Sequence, residues 1–205
     1  MGREMRITDR QAVDAPQASP RRVHLTGGPG SGKSTLARRI APLIDAPVFH
    51  LDEMALDLEA SFESLAPFEA LAREVPVIRA RPRWVSDGAY MGWAAPLFDA
   101  ADLVVWMDVP WRVASYRILS RHVKAELGRS NRFPGWRNLW TFWRWSGHYY
   151  NDRNPHRLNA YGVPHNRSLA AELLQPYSAK LAVCRTNADV EALLSRLRQG
   201  EPVPG

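Results

Sequence analysis

The sequence has little of what marks a secreted, membrane-spanning or cysteine-rich protein. Cys184 is the single cysteine among 205 residues, so the chain can form neither an internal disulfide nor a cysteine-based zinc site. No apolar run approaches the roughly 18 residues that a membrane-spanning helix needs. The charged residues near the N-terminus precede no apolar stretch of the secretory type, and Arg6 stands where a myristoylation signal has Ser or Thr. These absences predict a cytoplasmic protein without a membrane span.

Acidic residues are also scarce in one part of the chain. Lys and Arg number 27 against 21 Asp and Glu, a formal net charge of +6. Residues 121–167 hold nine of the basic residues and only two acidic ones, Glu126 and Asp152, while the rest of the chain is nearly neutral. A phosphate-rich partner at this segment and an ordinary solvated basic surface explain the excess equally well.

Short apolar runs alternate with helical patterns over residues 21–198, which predicts a single α/β domain with a parallel sheet. Strands are predicted at 23–26, 48–51, 84–86, 103–107 and 181–184, and helices at 34–44, 61–74, 111–127 and from Thr186 onward. The run at 103–107 is apolar at every position, as expected of a strand buried on both faces.

Three segments do not fit this alternation. Residues 1–20 and 199–205 have no apolar periodicity and are predicted to be tails. Residues 124–178 are basic and rich in aromatic residues. We expect this segment to form a helical, lid-like insertion over the carboxyl edge of the sheet.

One motif indicates the class of protein. Residues 27–34 match G-x-x-x-x-G-K-[ST] at every fixed position, between a predicted strand and a predicted helix. In such a loop, backbone N–H groups bind phosphate oxygens, the lysine reaches the β and γ phosphates, and the Ser hydroxyl binds Mg²⁺. The sequence therefore predicts binding of ATP and Mg²⁺. The predicted nucleotide-binding residues are Gly27, Gly28, Pro29, Gly30, Ser31, Gly32, Lys33, Ser34 and Thr35.

Carboxylates follow three of the predicted strands: Asp52, Asp87 and Asp108. Magnesium nucleotides need a carboxylate to hold the water shell of the metal. The long apolar run before Asp108 favours that residue, whereas Gly88 would let a ligand approach the backbone beside Asp87. The pattern alone leaves both open.

Three stretches resemble the adenylate-kinase-related P-loop kinases, and most closely the topology modulation proteins. They are His50-Leu51-Asp52-Glu53, Trp84 to Tyr90, and 103–110 followed by Arg117 and Arg121. The likeness covers residues 22–128 and 180–197, while Ala89 replaces the usual Asn and residues 129–178 depart from the pattern. The resemblance implies a three-layer α/β/α P-loop fold with strand order 2-3-1-4-5. It also implies that Asp87 lies beside the phosphate loop in the metal role, with Ser34.

Other polar residues have two interpretations each. Asp52 could accept the proton of a hydroxyl acceptor or cap the next segment. Arg117, Arg121 and Lys124 share one helix face; the resemblance implies that such arginines contact ATP, and a solvated basic face is the alternative.

The insertion contains an aromatic stripe at helical spacing beside a polar and basic one. The first is formed by Phe133, Trp136, Trp140 and Trp143, and the second by Arg137, Thr141, Arg144 and His148. The favoured interpretation is a lid helix that packs its tryptophans onto the sheet or neighbouring helices. The alternatives are an acceptor pocket and a docking face for single-stranded nucleic acid or an anionic membrane.

Together these features predict an ATP-dependent kinase that transfers the γ-phosphoryl group of Mg-ATP to a small acceptor, such as a nucleotide, a nucleoside or a related metabolite. Its predicted catalytic residues are Lys33, Asp52, Arg117 and Arg121. The alternative is a regulatory ATP-binding or ATPase module that acts on nucleic acid or a protein partner. The sequence predicts neither the acceptor nor the oligomeric state.

Overall fold

A computed structural model describes residues 19–55, 68–89, 91–129, 134–152 and 166–203. Five strands form one sheet: β1 (Arg22–Gly27), β2 (Val48–His50), β3 (Trp84–Asp87), β4 (Leu103–Met107) and β5 (Leu181–Cys184). Their order is β2-β3-β1-β4-β5, and every neighbouring pair is parallel. The predicted fold class and strand order are confirmed. The predicted tail up to residue 18, Tyr90 and Phe133 lie outside the described residues.

Helices surround the sheet. They are α1 (Lys33–Ile40), α2 (Leu51–Ala55), α3 (Phe68–Arg79), α4 (Ala95–Ala100), α5 (Trp111–Leu127), α6 (Trp136–Asn151), α7 (Arg167–Leu174) and α8 (Asn187–Gln199). Short 3-10 helices follow α1 at Ala41–Leu43 and α7 at Gln175–Lys180. In the described part of the chain, no helix combines the length and the apolar character that crossing a membrane requires.

Two helix ends differ from the prediction. Helix α1 stops at Ile40 rather than at residue 44, because Pro42 lacks an N–H group and the chain tightens into a 3-10 turn. Helix α3 continues to Arg79, five residues beyond the predicted end, and includes Pro76. The start predicted for this helix, at 61–67, lies outside the described residues. Helix α8 begins with the capping box that the Thr186-x-x-Asp189 spacing predicts.

The core lies on both faces of the sheet. Val105 and Met107 of β4 pack in the cluster that contains residues of α1 and α8, whereas Val104 and Trp106 belong to the cluster that contains residues of α3, α4 and α7. Because successive side chains of a strand point to opposite faces, an uninterrupted apolar run is what a strand between two helical layers requires.

Helix α6, from the predicted insertion, packs along α5. The Trp143 indole N–H donates to the Ser115 hydroxyl at 2.7 Å, and the Trp111 ring contacts Trp143 at a centroid distance of 5.4 Å. Trp136 and Trp140 instead remain 70% and 60% exposed. Trp143 therefore packs on α5 as expected, whereas the other two make only partial contacts: Trp136 lies against the His122 ring of α5 at 5.9 Å, and Trp140 stacks on Trp143 at 5.3 Å.

Candidate nucleotide-binding site

The glycine-rich loop joins β1 to α1 at the carboxyl edge of the sheet. Gly27 has a φ of 141°, and a side chain there would bring its Cβ to 2.6 Å from the Met107 carbonyl oxygen. The left-handed Gly32, at a φ of 100°, precedes α1 without a side-chain cap. Since the first N–H groups of a helix lack intrahelical partners, this turn leaves them free to bind an anion.

Lys33 begins α1 with its side chain beneath the loop. Only 7% of that side chain is exposed, and its Nζ donates to the Gly28 carbonyl at 3.3 Å. The same Nζ lies 3.9 Å from Oδ2 of Asp52, which α2 presents just beyond β2. The ammonium group therefore stands between the phosphate loop and a carboxylate. This is the position expected of a lysine that contacts both a phosphate group and the molecule that receives it.

Although 45% of the Asp52 side chain is exposed, the protein atoms around its carboxyl group remove part of the water that would hydrate the charge. Burial among surrounding protein atoms raises the pKa of Asp52 above the ordinary 3.8. The charge of Lys33 opposes that increase in pKa, and the charge of Asp87 adds to it. A carboxylate with a raised pKa is a better proton acceptor than an ordinary one.

Ser34 and Asp87, the predicted metal residues, lie together. The Ser34 hydroxyl donates to Asp87 Oδ2 at 2.6 Å, and Asp87 at the end of β3 is completely buried. A hydroxyl oxygen beside a carboxylate is a hard-oxygen donor set, which Mg²⁺ prefers, and Mg²⁺ commonly uses one or two carboxylates together with substrate phosphates. Among the described residues no three His, Cys, Asp or Glu side chains converge on a metal site, so an all-protein cage is not formed there.

A residue that the sequence analysis did not single out, His50, completes this group. Its Nδ1 lies within hydrogen-bonding distance of Oδ1 of Asp87. His50 ends β2 and stands directly opposite Asp87 in the register between β2 and β3. That register is a tertiary feature, and no local pattern around His50 indicates it.

Asp108, the alternative metal residue, has a different environment. Its side chain is 1% exposed, and both of its oxygens accept hydrogen bonds from guanidinium groups. Arg167 of α7 contacts both oxygens, with Nη2 at 2.7 Å from Oδ2, and Arg185 places its Nε 3.1 Å from the same oxygen. These arginines stand 59 and 77 residues along the chain from Asp108, so no local sequence pattern connects them with it.

The two predicted arginines of α5 are not equivalent. Arg117 donates through Nη1 to the Ser31 carbonyl at 2.6 Å and through Nη2 to Asn187 Oδ1 at 3.1 Å. It therefore lies against the phosphate loop. Arg121, one turn further along the same helix, is exposed. The structure therefore brings Arg117 to the loop and leaves Arg121 exposed on α5.

Helix α6 also reaches the loop. The Tyr150 hydroxyl donates to the Pro29 carbonyl at 2.8 Å, and a Cβ added to Gly28 would overlap the Tyr149 ring. Burial raises the pKa of Tyr149 to about 12 and also raises the pKa of Tyr150. Both phenols are therefore neutral at physiological pH. The stripes predicted for α6 included neither tyrosine.

Comparison with known proteins gives structural similarities only. No family model matches the chain, and no curated protein does. A gluconokinase from Sinorhizobium meliloti is 15% identical, with a TM-score of 0.46, and covers 89% of this chain and 96% of its own. A sugar kinase from Janibacter sp. is 15% identical, with a TM-score of 0.48, over 88% of this chain and 93% of its own. A shikimate kinase from Aquifex aeolicus is 20% identical, with a TM-score of 0.38, over 47% of this chain and 68% of its own.

All three similar structures are kinases. The sheet order and the glycine-rich loop of this chain are those of a P-loop fold. The identities are low and the TM-scores stay below 0.5, so these similarities do not show the function of this chain.

Proposed function

We propose that the protein is an ATP-dependent kinase that phosphorylates a hydroxyl group of a small acceptor, such as a nucleoside or a related metabolite. The observation that carries the proposal is the arrangement around Lys33, whose ammonium group lies between the phosphate loop and Asp52. A module that only binds ATP needs the loop and the lysine, and it has no need of a carboxylate with a raised pKa beside them. An ATPase could use such a carboxylate to orient water, so stimulation of turnover by an acceptor separates the kinase from an ATPase.

The binding half of the reaction rests on the loop. Its amides and Lys33 would hold the β and γ phosphates, and Arg117, already against the Ser31 carbonyl, would add a second cation. Ser34 and Asp87 would hold Mg²⁺, which when bound neutralises charge on the phosphates. Catalysis of this kind is mostly positioning and electrostatic stabilisation.

The acceptor half rests on Asp52. As the acceptor oxygen forms its bond to the γ phosphorus and the bond between that phosphorus and the ADP oxygen breaks, Asp52 takes the hydroxyl proton. A nucleoside monophosphate acceptor would need no such base, because its phosphate oxygen is already ionised. This distinction supports a hydroxyl acceptor over a phosphate acceptor.

The experiment is a screen of ATP consumption against nucleosides, nucleoside monophosphates and small polyols. We expect a hydroxyl compound to stimulate turnover, and Lys33→Ala to abolish it without unfolding the chain. Arg38→Ala, which removes an exposed cation from the same helix, is the matched control and should keep full activity.

Asp52→Asn separates the two halves of the reaction. Loss of a general base costs about 10²- to 10⁴-fold in turnover, whereas ATP binding should stay nearly unchanged. Slow ATP hydrolysis that no acceptor stimulates, together with salt-sensitive nucleic-acid binding, would support the regulatory module instead. An active Lys33→Ala variant would refute both functions.

A further inference from the structure

His50 lies in the candidate site without a role in the function proposed above. Its side chain is 18% exposed, and its Nδ1 contacts Oδ1 of the completely buried Asp87. A carboxylate that holds a metal ion is ionised and only accepts hydrogen bonds, so in that role of Asp87 the ring nitrogen must carry the proton and donate it. The register between β2 and β3 sets the two residues side by side, so the contact is built into the sheet rather than made by a loop.

The two oxygens of Asp87 have different partners. Oδ2 accepts the Ser34 hydroxyl at 2.6 Å, and Oδ1 accepts the His50 N–H. With one donor on each oxygen, the carboxylate plane is fixed from both sides. If the His50 donor were removed, Oδ1 would be left in the interior without this partner, and the carboxylate could turn away from Ser34.

The orientation of Ser34 depends on this arrangement. Because the Ser34 hydroxyl uses its single proton on Asp87, its oxygen lone pairs remain available to a cation at the start of α1. A turned Asp87 would free the hydroxyl to rotate, and the lone pairs would no longer have a fixed direction. The chain of contacts therefore runs from His50 through Asp87 to Ser34.

We infer that His50 is a positioning residue for the divalent cation: its N–H holds Asp87, and through it Ser34, in the orientation that binds magnesium with the nucleotide. This inference rests on the proposed function, since it concerns the cation of the same nucleotide site. The positioning role of His50 belongs to the hydrogen-bond donor at Nδ1, not to the charge or the bulk of the ring.

Two substitutions isolate the donor. His50→Phe keeps the ring and removes the N–H, while His50→Asn places an amide N–H near the former Nδ1. The readout is the calorimetric affinity for ADP in Mn²⁺ and in EDTA, with Asp87→Asn measured alongside. Removing an outer partner of a metal ligand costs about 10- to 100-fold in metal affinity, so the Phe variant should lose about that much of the Mn²⁺-dependent gain in ADP affinity.

The expected pattern has three parts. His50→Phe loses most of the Mn²⁺-dependent gain in ADP affinity but binds ADP in EDTA like the parent protein. His50→Asn recovers most of this gain in affinity, and Asp87→Asn loses it. A structural role alone would lower ADP affinity equally with and without the metal. Circular dichroism checks the fold, and His50→Leu replaces the Phe variant if that variant does not fold.

Two results overturn the inference while leaving the kinase proposal in place. One is a His50→Phe variant with the parent's full gain from Mn²⁺, and the other is a His50→Asn variant as defective as His50→Phe. If the parent protein itself binds ADP no better with Mn²⁺ than in EDTA, both the inference and the proposed metal site fail.

Discussion

His24 should make the protein steeply less stable in mild acid. It lies completely buried in β1, with its Nδ1 2.8 Å from the Ser86 hydroxyl and its ring centroid 4.1 Å from that of Phe98. Burial is the main cause that lowers the pKa of His24 from 6.5 to about 3. A hydrogen bond to the backbone of Gly88 opposes this, and the charge of Lys33 lowers the pKa further.

The direction of the change in stability with pH depends on how many protons the folded and unfolded chains bind. Between pH 6.5 and pH 3 the unfolded chain binds a proton on His24 that the folded chain does not, so the free energy of unfolding falls as the pH falls. Above pH 6.5 both states are neutral at this residue, and its contribution is constant. A pKa near 3 corresponds to a loss of about 2.5 kcal/mol between pH 6 and pH 4 from this one group.

The assay compares the parent protein with His24→Asn in urea unfolding at several pH values between 4 and 8. Asn keeps a polar group near the position of Nδ1 and cannot protonate in this range, and the difference between the two proteins cancels the titration of all other groups. We expect that difference to be nearly flat above pH 7 and to fall by about 2.5 kcal/mol between pH 6 and pH 4. Parallel stability curves, or an NMR titration of the His24 ring near pH 6.5, would refute the reasoning.

Three further predictions concern the edge of the site. Burial raises the pKa of Asp52, so its ionised form destabilises the folded protein above that pKa. Asp52→Asn should therefore have a higher Tm than the parent at pH 8, and the difference in Tm should shrink toward pH 4. An equal Tm at pH 8 contradicts this prediction. Asp108→Asn should cost about 2 kcal/mol, or roughly 4–8 °C in Tm, since half-exposed guanidiniums can rehydrate. It should leave the Mn²⁺-dependent gain in ADP affinity intact, and loss of that gain would give Asp108 the metal role in place of Asp87. Gly28→Ala should cost about 1–3 kcal/mol by overlap with Tyr149, and Tyr149→Ala in the same chain should recover part of it in a double-mutant cycle.

The parts of the molecule that could be predicted are those encoded locally. The glycine-rich loop needs particular residue types at fixed spacing, so residues 27–34 indicate its place and its neighbours directly. The strand at 103–107 is apolar at each position because helices cover both faces of the sheet. Thr186 and Asp189 form their capping box within a single turn. In each case the residues that interact are also close in sequence.

The parts that could not be predicted depend on contacts between distant segments. The apolar run before Asp108 favours it for the metal role, but Arg167 of α7 and Arg185, directly after β5, bind its carboxylate. His50 belongs to a stretch that resembles the P-loop kinases, but the sequence indicates no role for it, because its contact with Asp87 exists only once β2 pairs with β3. A sequence pattern shows where a carboxylate stands on its strand, and only the tertiary structure shows which donors surround it.

The hydrogen-bond donors around Asp87 and Asp108 give the two sides of the carboxyl edge of the sheet different net charges. Strands β3 and β4 flank β1, and each is followed or ended by a buried aspartate, Asp87 on one side and Asp108 on the other. Asp87 is held by a hydroxyl and a histidine N–H, so its hydrogen bonds leave its negative charge available to a cation. Asp108 is held by Arg167 and Arg185, which together outweigh its charge and leave that side net positive. We therefore expect a magnesium ion on the β3 side of the loop rather than on the β4 side, although the two carboxylates stand at equivalent ends of the two strands that flank β1.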